Sequence, residues 1–234
     1  MAAAGILVCM LSFWLPSDCL LCSKPPHQLC ADCLALLPFR VRTVDRSGLP
    51  AGLSCIDYDS GAAAIVKEFK QTGSRFLCQK LAVPMAQALV SLASRGIPAA
   101  VSAPQLHPEP QGFLLLPAPS RPKANRERGY TPATMLATEV ALQMRASGVS
   151  ARALQIFKMS RFVGDQTLLS AAARHQNIDG HMSLEPGAER HLSGKTLVMF
   201  DDIVTTGATL REMNRVVQLA GFESAIFLTF AETL

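Results

Sequence analysis

The run Val198-Met-Phe-Asp-Asp-Ile-Val-Thr-Thr-Gly-Ala-Thr-Leu210 concentrates the groups of this chain that can do chemistry. Two adjacent carboxylates, Asp201 and Asp202, follow an apolar stretch from Thr196 to Phe200. Thr205, Thr206, Gly207, Ala208 and Thr209 come next, then an amphipathic run. The carboxylates can accept hydrogen bonds from a ribose diol and hold a divalent cation nearby. The turn offers backbone N–H groups and threonine hydroxyls at a helix N-terminus, where a phosphate is favoured. Gly207 lets the backbone approach a phosphate closely and take dihedrals that a side chain forbids. A capped βα turn needs a single Asp or Thr. Two acids and several threonines around one glycine exceed that need, so the run suits a sugar phosphate.

These residues need a strand before them and a helix after them, inside a larger sheet. Phe113-Leu-Leu-Leu116 is wholly apolar, as expected of a central parallel strand. It ends at Pro117-Ala-Pro119, and the stretch from Ser120 to Tyr130 is basic, with Arg121, Lys123, Arg126 and Arg128. Thr131 caps a helix that has Pro132 at its first position and runs to Gly148. Ala153 to Phe157 reads as a strand, and Asp165 caps a helix through His175 that Asn177 to Gly180 closes. The helix after the signature run stops at Gly221, and Ala225 to Phe230 is the last strand. Upstream, Ser60 to Gly96 has helical spacing, with Pro84 expected to kink or divide it. Ile97 to Gly112 holds four prolines and reads as a loop or linker. Alternating strands and helices imply an α/β fold with a mostly parallel sheet and ligands at the carboxyl ends of strands.

Cys19-x2-Cys22 and Cys30-x2-Cys33 form two knuckles. Four thiolates paired this way suit a tetrahedral structural Zn²⁺. His27 lies between the pairs and reads as a loop residue. Cys9, Cys55 and Cys78 read as small apolar fillers. The apolar stretch Gly5 to Leu15 lacks a basic flank and a small-residue cleavage site, and is too short to span a bilayer. It reads as an amphipathic helix or arm, which makes a reducing cytoplasm the expected setting for the cysteines. The chain is 49% hydrophobic and 17% charged, a globular composition, and its net charge of +4 permits polyanion binding without demanding it. Ser193-Gly194-Lys195-Thr196 looks like the end of a phosphate loop of ATPases, but Glu189 stands where that loop needs its first glycine.

The run around Asp201 and Asp202 resembles the phosphoribosyl-pyrophosphate (PRPP) signature of type I phosphoribosyltransferases. Further segments fall in order with it: Leu116-Pro-Ala-Pro119 with Arg126-x-Arg128-Gly129-Tyr130, then Arg161, Asp165-Gln166, Arg174 and Asn177. Together with Lys70 and the four-cysteine finger, they resemble the ComF/GntX family, named for competence protein F, over nearly the whole chain. The resemblance implies a type I phosphoribosyltransferase-like sheet flanked by helices and preceded by a zinc finger. It divides the chain into an N-terminal arm (1–18), the finger (19–34), a helical and linker region that serves as a hood (35–112) and a PRPP-binding core (113–234). Asp201 and Asp202 then contact ribose hydroxyls, and Thr205, Thr206, Gly207, Ala208 and Thr209 hold the 5′-phosphate. Ala118, Pro119, Ser120 and Arg121, with Arg128, hold the pyrophosphate. Mg²⁺ accompanies the ligand, and zinc is structural.

The resemblance leaves the role of PRPP open between substrate and sensed ligand. One outcome is a glycosyltransferase that passes phosphoribosyl to an unknown acceptor. The other is a non-catalytic competence factor for DNA uptake, holding single-stranded DNA or a helicase partner. Purine phosphoribosyltransferases carry a carboxylate at the position of Thr205, so purine salvage is disfavoured. One Trp and two Tyr supply few stacking platforms for single strands.

Overall fold

Nine successive residues, Thr196–Val204, make the longest strand, and almost every one is buried. Such a strand is stable only with both faces covered, and the rest of the chain supplies the covers. The computed structural model describes residues 18–25, 28–95, 112–120, 128–159, 180–222 and 226–233. In chain order these contain α1 (Ala31–Leu36), β1 (Arg42–Val44), β2 (Gly52–Asp57), α2 (Ser60–Thr72), α3 (Arg75–Arg95), β3 (Phe113–Pro117), α4 (Pro132–Ala146) and β4 (Ala151–Ala153). There follow β5 (Phe157–Met159), β6 (Met182–Leu184), a short 3-10 turn (Ala188–His191), β7 (Thr196–Val204), α5 (Ala208–Leu219) and β8 (Ile226–Glu232).

The main sheet has the order β1-β2-β8-β7-β3-β4. All neighbours are parallel except the edge strand β1, which runs antiparallel to β2. A separate two-stranded hairpin joins β5 and β6. Side chains alternate across a strand, so β7 feeds two cores. Val198 and Phe200 join Leu115, Leu228 and Phe230 against α2, α3 and α4. Leu197 and Met199 join Leu114, Leu116 and Phe227 against Leu210, Met213 and Val217 of α5. Each fully buried large side chain contributes about 1.5–3 kcal/mol, which is what holds these layers in place.

Several expectations change. Residues 35–112 are helical only in part, because β1 and β2 are strands of the main sheet. The missed strand, Gly-Leu-Ser-Cys-Ile-Asp, carries a glycine and a serine among its apolar residues. Gly52 is needed because a Cβ there would fall 2.2 Å from the Phe227 ring. The helical stretch breaks at Gly73 rather than at Pro84: α3 runs from Arg75 to Arg95 with Pro84 inside. Packing of Leu77, Leu81, Met85 and Leu89, all at most 2% exposed, outweighs the single N–H that proline removes. The strand expected over Ala153 to Phe157 is two short strands, β4 and β5, in different sheets. Strand β7 continues past Phe200 to Val204, so the two carboxylates sit within it. The helix expected from Asp165 to His175 and the N-terminal arm up to Ser17 lie outside the described residues. Helix α3 is long and apolar enough to cross a membrane by length and composition, but 56% of its most apolar stretch is buried inside this fold.

Gly73 ends α2 in the left-handed region, at φ +63°, and its N–H donates to the Phe69 carbonyl. A Cβ there would lie 2.9 Å from the Tyr130 ring. Gly73→Ala is therefore expected to destabilise the protein by about 1–3 kcal/mol in denaturant unfolding. An unchanged midpoint would remove this constraint from the account.

Candidate functional site

From β3 the chain passes through α4 to β4 on one side, and from β7 through α5 to β8 on the other. The neighbours β3 and β7 therefore flank the point where strand order reverses. In open α/β sheets, ligands bind outside the carboxyl ends of the strands at that point. Here those ends carry Ala118, Pro119 and Ser120 after β3, and Asp201 through Thr209 at the end of β7 and the start of α5. The Ala118 N–H donates to the Phe200 carbonyl at 2.8 Å, which ties the first turn to the second strand.

Alternation along β7 sends the two carboxylates to opposite faces. Asp202 shares a face with Val198 and Phe200, and accepts from Lys70 Nζ of α2 at 2.8 Å. Asp202 is 8% exposed in its side chain and Lys70 33%, so the pair is neither fully buried nor free in solvent. Asp201 pairs in register with Thr229 on the face of α5, and its Oδ1 accepts from the Asp202 N–H at 2.9 Å. Burial, then the neighbouring Asp202 charge, push the Asp201 carboxyl up to about 7 against the pull of Lys70. A group near 7 changes charge with small changes of surroundings, as functional carboxylates do.

The phosphate turn follows. Gly207 caps α5 at φ +75°, and the Thr206 hydroxyl accepts from the Ala208 N–H at 3.4 Å. Thr205 and Thr206 are exposed, Thr209 is half-buried, and Gly207 and Ala208 are buried. The loop between β1 and β2 lies over this turn. A Cβ on Gly207 would stand 2.7 Å from Leu49 Cδ1, and one on Gly48 would stand 3.2 Å from Arg211 Cδ. Arg46 from the same loop donates to the Thr205 carbonyl, the Thr233 carbonyl and the Glu232 carboxylate. Sequence reading missed Arg46, Leu49 and Glu232. Arg46 and Glu232 are 186 residues apart and no motif joins them.

Tyr130 connects the basic loop to the carboxylates. Its hydroxyl donates to the Lys70 carbonyl at 2.8 Å, at the end of the helix whose side chain holds Asp202. Arg128, two residues before, is exposed. Arg121, Arg126, Arg161, Asp165, Gln166, Arg174, Asn177 and His27 lie outside the described residues. On the far side of α5, the buried Glu212 accepts from the Gly180 and Met182 N–H groups and from Arg215. Burial works to raise its pKa, but those donors outweigh it and hold the carboxyl below its usual range. Glu212 thus anchors the start of β6 to the signature helix.

The four finger cysteines come together. The ligand atoms of Cys19, Cys22, Cys30 and Cys33 all lie within 4.8 Å of one another. The Cys22 and Cys30 sulfurs are 3.7 Å apart, close to the ~3.8 Å edge of a tetrahedron with metal–sulfur bonds of about 2.3 Å. The Cys30 N–H donates to Cys19 Sγ at 3.5 Å and the Cys33 N–H to Cys30 Sγ at 3.4 Å. Burial works to raise the Cys19 thiol, but N–H groups of Cys30, Leu21 and Cys22 outweigh it and bring it to about 6. Contact with Cys22 and Cys30, then burial, pushes Cys33 far up. Four sulfurs this close cannot all ionise without a cation among them, so the donor set fits a closed divalent metal site. Leu21 and Leu37 pack beside Gly61 of α2, and the Ser74 hydroxyl bonds to Gln28. The cluster therefore braces the helix that carries Lys70.

No protein-family model matches the chain, and no curated protein matches it.

Two outcomes follow from this geometry. Metal analysis of the purified protein is expected to find about one Zn²⁺ per chain, lost in Cys19→Ser and Cys33→Ser. Equal folding of metal-free wild type would contradict it. The second concerns Asp201, whose proton is held more tightly in the folded chain, at about 7, than its ordinary value of 3.8 allows. This contribution to stability is complete below pH 3.8 and is lost as the pH rises through about 7. Asp201→Asn is therefore expected to melt above the wild type at pH 8, with the advantage vanishing at acid pH. A constant difference across that window would contradict the raised carboxyl.

Proposed function

We propose that this chain is a PRPP-binding, phosphoribosyltransferase-like protein of the ComF/GntX kind. One observation carries the reading: Asp201, Asp202 and the Thr205–Thr209 turn share the crevice between β3 and β7 with the Ala118–Ser120 turn. A sugar phosphate with a second anionic end has a counterpart for each part there. The carboxylates accept from the ribose 2′- and 3′-hydroxyls. The α5 N-terminus and its threonines take the 5′-phosphate. The backbone of Ala118 to Ser120, with the arginines of the following loop, takes the pyrophosphate, where charge-assisted bonds are strongest.

In the transfer, an acceptor nucleophile forms a bond to ribose C1 as the bond from C1 to the pyrophosphate oxygen breaks. The electron pair leaves with pyrophosphate. Lys70 holds Asp202 in place while positive charge grows on the ribose ring, and the ionised carboxylates are suited to stabilise that charge. Mg²⁺ accompanying the ligand supplies neutralisation of the leaving pyrophosphate. The four-cysteine cluster is read as a structural zinc finger whose task is to brace α2. The hydroxyl at Thr205, in place of a carboxylate, supports a non-purine acceptor.

Calorimetric titration of zinc-loaded protein with PRPP and Mg²⁺ tests the reading. Binding is expected in the wild type and is expected to be lost in the Asp201→Asn/Asp202→Asn double variant while the fold is retained. Absence of wild-type binding would overturn it and turn attention to single-stranded DNA, whose binding would weaken steeply with salt.

A further inference from the structure

Arg46 holds three acceptors at once, and one of them belongs to the phosphate turn. Its Nε and Nη2 donate to Glu232 Oε1 at 3.1 and 2.9 Å, and Nη2 also reaches the Thr233 carbonyl. Its Nη1 donates to the Thr205 carbonyl. Glu232 is 13% exposed and Arg46 24%, so water competes little for the pair. Glu232 belongs to β8, which pairs with β7 at Val204, the residue before the turn. Arg46 is thus anchored on the frame of the sheet and grips the turn from there.

The grip has a direction. A trans peptide is planar, with its carbonyl and N–H pointing opposite ways. Fixing the Thr205 carbonyl toward Arg46 fixes the Thr206 N–H away from it. Among the described residues, neither the Thr206 nor the Gly207 N–H donates to any group. Leu49, from the same loop, stands against Gly207 and limits the other freedom of the turn.

We propose that Arg46 is a positioning residue for the phosphate turn, aiming the Thr206 N–H at the 5′-phosphate of a phosphoribosyl ligand. The inference rests on the function proposed above and deepens it. The guanidinium touches no ligand atom; its own charge is matched by Glu232. It acts by setting the orientation of one peptide group. A lysine cannot reproduce this, because a single ammonium on a flexible stem does not bridge three acceptors in a fixed fork.

The test compares wild type, Arg46→Ala and Arg46→Lys against two probes. Ribose 5-phosphate reports the phosphate turn, and inorganic pyrophosphate with Mg²⁺ reports the other end of the crevice. The backbone amide resonances of Thr206 and Gly207 are followed in the same titrations. The expected result is about tenfold or greater loss of ribose 5-phosphate affinity in Arg46→Ala, as for a lost charge-assisted bond. Pyrophosphate affinity is expected to stay unchanged. Arg46→Lys, which keeps the charge, is expected to lose nearly as much, and the Thr206 amide is expected to shift on ribose 5-phosphate addition only in wild type. Equal ribose 5-phosphate binding by all three would overturn the role of Arg46 and leave the proposed function standing. Loss of both probes together in a folded variant would make Arg46 a general scaffold residue and overturn it too. If Arg46→Ala does not fold, Arg46→Lys decides, and wild-type affinity in that variant overturns the proposal. Failure of the wild type to bind either probe would bring down the functional reading itself, and this inference with it.

Discussion

Two carboxylates on adjacent residues of a central strand cannot share an environment, and much of this structure answers that constraint. Alternation sends Asp202 toward α2 and Asp201 toward α5. On the α2 side, an ammonium meets the charge at 2.8 Å. On the α5 side, the strand offers a backbone N–H and a buried surface that disfavours ionisation. The site therefore stores an electrostatic imbalance, and a polyol or a cation arriving there would relieve it. Strain of this kind costs stability and is kept where surrounding structure enforces it.

The enforcement comes from elements remote in sequence. Helix α2 must end where Lys70 can reach Asp202, and Gly73 and Tyr130 fix that end from opposite sides. The cysteine cluster packs against the start of the same helix. Helix α5 is held from behind through Glu212 and the first residues of β6. Local chemistry at the crevice thus depends on a metal-type cluster, a basic loop and a buried carboxylate, none of which contacts the others' residues directly in the pairs named here.

How much of this could be read beforehand follows from what kind of signal each part leaves. The signature run was legible because strand, acids, turn glycine and helix are contiguous, and so were the paired cysteines. The apolar strand β3 and the capped helix α4 carry strong local patterns as well. Strand β2 was not legible: its glycine and serine are demanded by Phe227 and by burial, not by any period along the chain. Pro84 misled because tertiary packing overrides a local preference. Arg46 left no trace, since a guanidinium gripping carbonyls needs no partner residue type. Only Glu232 has a matching charge, and chain separation hides it.

The position of β2 has a kinetic consequence. Residues 52–57 lie early in the chain, yet their parallel neighbour is β8, at 226–232. During synthesis the N-terminal hairpin of β1 and β2 must wait for the last strand before its inner edge is covered. Until then it presents an unpaired, apolar strand edge, the kind of surface that invites pairing between chains. Closing a loop this long is slow relative to local helix formation. The waiting edge is then a demand on the cell as much as on the fold: a chain of this topology has most to lose while it is still incomplete.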